Sequence, residues 1–140
     1  MVQAGRKSSD MNQNDIAYMA GLFDGEGTVD YKQRWEKRAK GKRYKVWRIA
    51  AAIEMTDQHV LGWLHEVLGF GTLNERKKRP GRKRIWRWRC KYREALIFAK
   101  LIWPHTQTKL HKIEQIIDHY DTDDLAKPSA DIIYLKDRRK

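Results

Sequence analysis

Two carboxylates separated by a single glycine, Asp24 and Glu26, close the run Met19-Ala20-Gly21-Leu22-Phe23-Asp24-Gly25-Glu26-Gly27. The residues before them read as a helix capped at Asn14 or Asp15 and running to about Asp24. Ile16, Met19, Ala20 and Phe23 are its apolar positions, and Gly25-Glu26-Gly27 ends it. Carboxylates at a helix C-terminus oppose the helix dipole, so something must offset them. A bound hard cation is a natural candidate, because carboxylate and carbonyl oxygens are the ligands Mg²⁺ prefers. The same helix carries Ala17, Ala20 and Gly21. Small residues there let a second backbone come close. No other segment of the chain matches that face, so a second copy is the expected partner.

The remaining composition narrows the partners. The chain has 140 residues, enough for one core, and 41% are hydrophobic, too many for a disordered tail. Cys90 is the single cysteine, which excludes an internal disulfide and a cysteine zinc site. The five histidines show no metal spacing, so a His–Cys nuclease is not expected. The N-terminus lacks a signal-peptide core, and the best apolar run, Ala95 to Trp103, is interrupted by Lys100. The expectation is an intracellular protein of a reducing compartment, not secreted, with no membrane partner and no organic cofactor. The net charge is +12, unevenly spread. Lys32 to Arg48 holds nine basic residues and one acid, and Arg76 to Arg93 holds eleven and none. Two basic segments on a mildly acidic body are the footprint of a polyanion-binding surface.

Those basic segments fall on predicted strands. Thr28 to Trp35 and Tyr44 to Met55 alternate in polarity and flank a charged turn. Thr56 is expected to cap a helix on Val60, Leu61, Leu64, Val67 and Leu68, stopped by Gly69. Gly71 to Lys78 and Lys83 to Tyr92 form a second pair of strands. Helices follow over about Arg93 to Trp103 and Thr108 to Tyr120. Gly25-Glu26-Gly27-Thr28-Val29 recurs as Gly69-Phe70-Gly71-Thr72-Leu73, so the chain repeats a helix–strand–hairpin–strand unit. The class is α+β, in the order αββαββα with a further C-terminal helix. Four antiparallel strands bury one face under the helices, and the other, basic face suits a nucleic-acid groove. The expected organisation is a flexible lead-in over 1–13, one domain over 14–120 and an extension over 121–140.

The nine residues Met19 to Gly27 resemble the motif that names the LAGLIDADG homing endonucleases, with Met19 in place of the first leucine. The element order and the glycine-rich entry to the third strand also fit that family, over roughly Asp15 to Tyr120. A single copy of the motif resembles the members that act as homodimers. The resemblance implies a site-specific double-strand DNA endonuclease, dependent on Mg²⁺ or Mn²⁺, cutting a long, partly symmetric target. It implies that Glu26 binds the metal, helped by the Gly25 carbonyl, and that Ala17, Ala20, Gly21 and Asp24 form the dimer contact, with Asp24 alternatively fixing the helix end. It assigns Lys109, after the third helix, to the scissile region, with Lys112 as the alternative. A polar residue that orders water falls at Met55, Asp57 or Gln58, and Asp57 is carried forward as the catalytic candidate. Relatives with the same fold also serve as intron RNA maturases or non-cleaving DNA-binding regulators, which is the second reading.

Strand parity then selects the DNA contacts. Asp30, Lys32 and Arg34 share the polar face with Arg48, with Asn74, Arg76 and Lys78, and with Arg87, Arg89 and Lys91. Arginine bridges guanine O6 and N7, and asparagine pairs with adenine. Lys40, Lys42, Arg43, Arg82 and Lys83, in turns, suit phosphates. Trp47, Trp86 and Trp88 have the opposite parity and belong to the core.

Overall fold

A computed structural model describes residues 11–37, 39–77 and 80–123. The expected contact Lys78 lies outside them, as do residues 1–10 of the lead-in and 124–140 of the extension. The chain runs α1 (Gln13–Glu26), β1 (Gly27–Lys37), β2 (Arg43–Met55), α2 (Gln58–Leu68), β3 (Thr72–Glu75), β4 (Trp86–Lys91), α3 (Arg93–Ile102) and α4 (Leu110–Asp123). Short 3₁₀ turns cover Ala39–Gly41 and Trp103–His105. The four strands form one antiparallel sheet in the order β1-β2-β4-β3. The repeat is visible in the register. Thr28 faces Ala52, Ala52 faces Arg89, and Arg89 faces Thr72, so the two repeated threonines end one row across the sheet.

Parity sorts the two faces. Ile49, Ala51 and Ile53 of β2 and Trp88 and Cys90 of β4 are buried under the helices. Met19, Ala20 and Phe23 of α1, Leu61 and Leu64 of α2, Phe98 and Ile102 of α3, and Ile113 and Ile116 of α4 complete the core. Phe23 meets Phe98 edge-on with ring centres 5.4 Å apart. Buried polar atoms are satisfied: Trp88 Nε1 donates to the Phe70 carbonyl at 3.2 Å, and Trp103 Nε1 to Glu114 at 3.1 Å. Burial pushes the Cys90 thiol up to about 12, with the Glu94 charge adding to the effect and a backbone hydrogen bond at Ala51 opposing it. That thiol stays protonated near neutral pH and is no nucleophile.

Several boundaries move, for local reasons. Helix α1 starts at Gln13, within the expected lead-in, because Asn12 and Asp15 form a reciprocal capping box. It continues to Glu26, so Glu26 is helical and Gly27 is the cap. Asp57, not Thr56, caps α2: its carboxylate accepts from the Val60 amide at 3.2 Å. Strands β3 and β4 are shorter than expected, and their pairing ends at Glu75 and Trp86, where Arg76 and Lys77 follow one strand and Lys83 and Arg84 precede the other. Helix α4 passes the Tyr120 boundary and reaches Asp123. The β1–β2 hairpin outruns the helices. Its Trp35 is exposed, with the Arg43 guanidinium 5.1 Å and the Lys45 ammonium 5.8 Å from the ring centre.

Gly27 marks the tightest joint of this frame. Its φ of −85° is open to any residue, but a Cβ there would lie 2.3 Å from Phe23 Cδ1 and 2.5 Å from the Phe23 carbonyl oxygen. The absent side chain lets β1 leave directly beneath the Phe23 ring. Gly27→Ala is therefore expected to cost about 1–3 kcal/mol through overpacking, read as a drop in thermal midpoint. An unchanged midpoint contradicts this account of the joint.

Candidate metal and nucleic-acid interface

Glu26 stands exposed at the C-terminal end of α1, where backbone carbonyls lack helical partners. It lines a cleft of about 520 Å³ with Thr28, Glu54, Met55, Thr56 and Ile85. Gly25 beside it meets nothing within 4 Å of a notional Cβ, so the backbone there is open to an approaching ligand. Glu54 is the second carboxylate of the cleft. Its Oε2 is bonded by Arg76 and lies 3.8 Å from Arg87 Nη1. Two guanidinium groups already neutralise it, which makes Glu54 an anchor for arginines more than a cation ligand. Among the described residues, no group of three or more His, Cys, Asp or Glu side chains could hold a metal ion.

Asp24 is used within the chain. Its two oxygens accept the Gln107 amide at 2.8 Å and the Lys109 amide at 3.0 Å, which ties the loop before α4 to the end of α1. Lys109 Nζ donates to the Asp24 carbonyl at 3.1 Å. Lysine at a helix C-terminus satisfies an orphan carbonyl and opposes the negative end of the dipole. Asp24 and Lys109 are therefore brought together from 85 residues apart. Asp57 caps α2, and Met55 and Thr56 line the cleft. Ala20 is fully buried in the chain's own core, whereas Ala17 and Gly21 are exposed with Tyr18 and Gly25 on the opposite side of α1.

The basic face forms as parity requires. Asp30, Lys32, Arg34, Arg48, Asn74, Arg87, Arg89 and Lys91 occupy the sheet face opposite the helices, by register with Ala50 and Ala52. Arg76 follows β3 and reaches that face through Glu54. Glu54 shares the strand parity of Arg48, Ala50 and Ala52, but its place beside Glu26 and between two arginines was not among the expected site contacts. Acids punctuate the arginines: Lys32 lies 3.9 Å and Arg89 3.7 Å from Asp30, and Arg34 lies 3.3 Å from Glu36.

No protein-family model matches this sequence, and no curated protein matches it. Solved structures do match. The archaeal intron-encoded homing endonuclease I-Vdi141I, complexed with DNA, superposes with a TM-score of 0.60 at 14% identity, over 89% of this chain and 84% of that one. The homing endonuclease I-CvuI, in complex with its target in 2 mM Ca, gives 0.53 at 18% identity, over 90% and 82%. The LAGLIDADG meganuclease I-AabMI, bound to uncleaved DNA, gives 0.55 at 17% identity, over 88% of this chain but 41% of its own. What these proteins have in common with the chain is its α+β fold with an antiparallel four-stranded sheet. The fold is that of the LAGLIDADG homing endonucleases.

Proposed function

We propose that the chain is a site-specific, divalent-metal-dependent DNA endonuclease that acts as a homodimer. The observation that carries this reading is the placement of Glu26. It is exposed at the end of α1, in a cleft that opens beside the arginine-bearing face of the sheet. Double-stranded DNA is a partner fitted to that face by charge and by the width of a groove that admits strands.

Glu26 and the Gly25 carbonyl would hold Mg²⁺ or Mn²⁺, with DNA phosphate and water completing the oxygen shell. A cation bound there lowers the pKa of a water and neutralises charge building on the scissile phosphate. Lys109, tied to the Asp24 carbonyl, keeps the end of α1 in place and puts positive charge beside the phosphate path. Asp24 clamps the same joint from the other side. Arg48, Arg87, Arg89 and their neighbours hold the duplex, and Glu54 orients Arg76 and Arg87 beside Glu26.

Two features support the second copy. The exposed side of α1 shows Ala17, Gly21 and Gly25, and a Cβ on Gly21 or Gly25 meets nothing within 4 Å among the described residues. Glycine inside a helix costs about 0.5–1 kcal/mol relative to alanine, and no contact of the described residues repays it at Gly21. A partner backbone at close range does. The match that covers 41% of I-AabMI also leaves room in that longer chain for a second unit of this size.

The test is incubation of a randomised duplex library with purified protein and Mg²⁺, followed by sequencing of the cut ends. Cuts at one partly symmetric site, absent with Ca²⁺, are the expected result. Salt-sensitive binding to duplex or intron RNA without any cut overturns the nuclease and points to the regulator or maturase.

A further inference from the structure

A surface that only had to grip phosphates gains nothing from a carboxylate among its basic side chains, yet Asp30 sits there on the edge strand. It lies on β1 facing Ala50, and Arg89 lies on β4 facing Ala52. The two alanines, buried though on the open face, form the floor of a hollow of about 210 Å³ walled by Asp30, Arg48, Arg87 and Arg89, with Glu54, already engaged by Arg76 and Arg87, at its side. Arg89 Nη2 and Asp30 Oδ2 are 3.7 Å apart across that floor, and Lys32 Nζ stands 3.9 Å from the other oxygen. Both distances exceed hydrogen-bond length, so the acid and the arginine form a loose ion pair whose hydrogen-bonding positions are not spent on each other. The alanine floor leaves room for a flat edge to enter between them.

In the major groove a G·C pair shows two acceptors, guanine N7 and O6, beside one donor, cytosine N4. A donor fork next to an acceptor carboxylate is the complement of that edge. A T·A pair sets a methyl group and a different order of donor and acceptor against the same two side chains. Asp30 also repels phosphate, so it weakens binding wherever no cytosine amine meets it.

We propose that Asp30 and Arg89 together read one G·C pair in each half of the target, Arg89 on guanine O6 and N7 and Asp30 on cytosine N4. This rests on the DNA-binding reading above and adds a base to it.

The experiment is selection of bound duplexes from a randomised library in Ca²⁺, which reports binding without cleavage. It compares the unmodified protein with Asp30→Ala and Arg89→Met, each checked for an unchanged melting profile. The unmodified protein is expected to demand G·C at one position per half-site. Both variants are expected to relax that same position by roughly ten- to hundredfold in discrimination and to leave other positions alone. Asp30→Ala should also bind random DNA more tightly, and Arg89→Met less. Preferences that stay unchanged at every position, or that relax at two unrelated positions, overturn the pairing while leaving DNA binding intact. A protein that selects no duplex at all overturns the DNA reading itself, and the pairing with it.

Discussion

Glu26→Gln is expected to abolish cleavage, by more than about 100-fold, while binding of the same duplex persists. The amide keeps the size of the side chain and can still reach the cleft, but it removes the negative charge that a divalent cation requires. Outer-shell partners of metal sites already cost 10–100-fold when changed, and a direct ligand is worth more. The change should also leave the fold untouched. Glu26 is exposed at a helix end and makes no contact on which the core depends. Removing a carboxylate from the negative end of the α1 dipole should, if anything, raise the thermal midpoint slightly. The informative combination is therefore retained or raised stability, retained binding and lost cutting. The check is a plasmid-cleavage time course beside a binding titration in Ca²⁺. Cleavage that continues at the original rate removes Glu26 from the reaction and leaves the fold reading standing.

Gly21 carries the second large effect, and the sign of it is decisive. In a solitary subunit, Gly21→Ala on the exposed side of α1 should stabilise by about 0.5–1 kcal/mol, because helical alanine loses less backbone entropy and a Cβ there meets nothing within 4 Å. In a homodimer whose α1 helices cross at that face, any added side chain strikes the partner backbone. A two-fold interface counts each substitution twice. Overpacking of about 1–3 kcal/mol per site then becomes a weakening of association by roughly 30- to 10⁴-fold for Gly21→Leu. Sedimentation at micromolar protein, with and without DNA, is the measurement. A shift from dimer to monomer with loss of cutting is the expected outcome. An unmodified protein that sediments as a monomer on DNA, or a Gly21→Leu variant that dimerises as before, refutes the interface.

The two predictions meet at one joint. Asp24 holds the loop before α4, Lys109 holds the Asp24 carbonyl, Gly27 lets β1 depart under Phe23, and Glu26 is what remains exposed. Asp24 and Glu26 of one helical turn thus have different company, a loop and an open cleft. Alternate residues there face the loop and the cleft.

Much of this was determined by the sequence itself. Period-two alternation in β2 and β4 assigned Trp88, Ile49 and Ile53 to the core and Arg48, Arg87 and Arg89 to the open face, because a strand offers no third choice. The glycine-bracketed repeat announced two equivalent hairpin units, and their register meets in the Thr28–Ala52–Arg89–Thr72 row. Local rules failed where two residues competed for one task. Thr56 and Asp57 can both cap α2, and the carboxylate won, which took Asp57 away from the cleft. Ala17, Ala20 and Gly21 are all small, but helix phase turns Ala20 inward and leaves the other two outside. What only the tertiary structure decided was long-range company. Nothing local in the chain says that Lys109 and Gln107 close on Asp24, or that Glu54 shares a cleft with Glu26 and lies between Arg87 of β4 and Arg76 just after β3. Those contacts form because burying one face of the sheet under four helices fixes where every loop and every opposite-facing side chain must go. Spacing along the chain carries no record of that constraint.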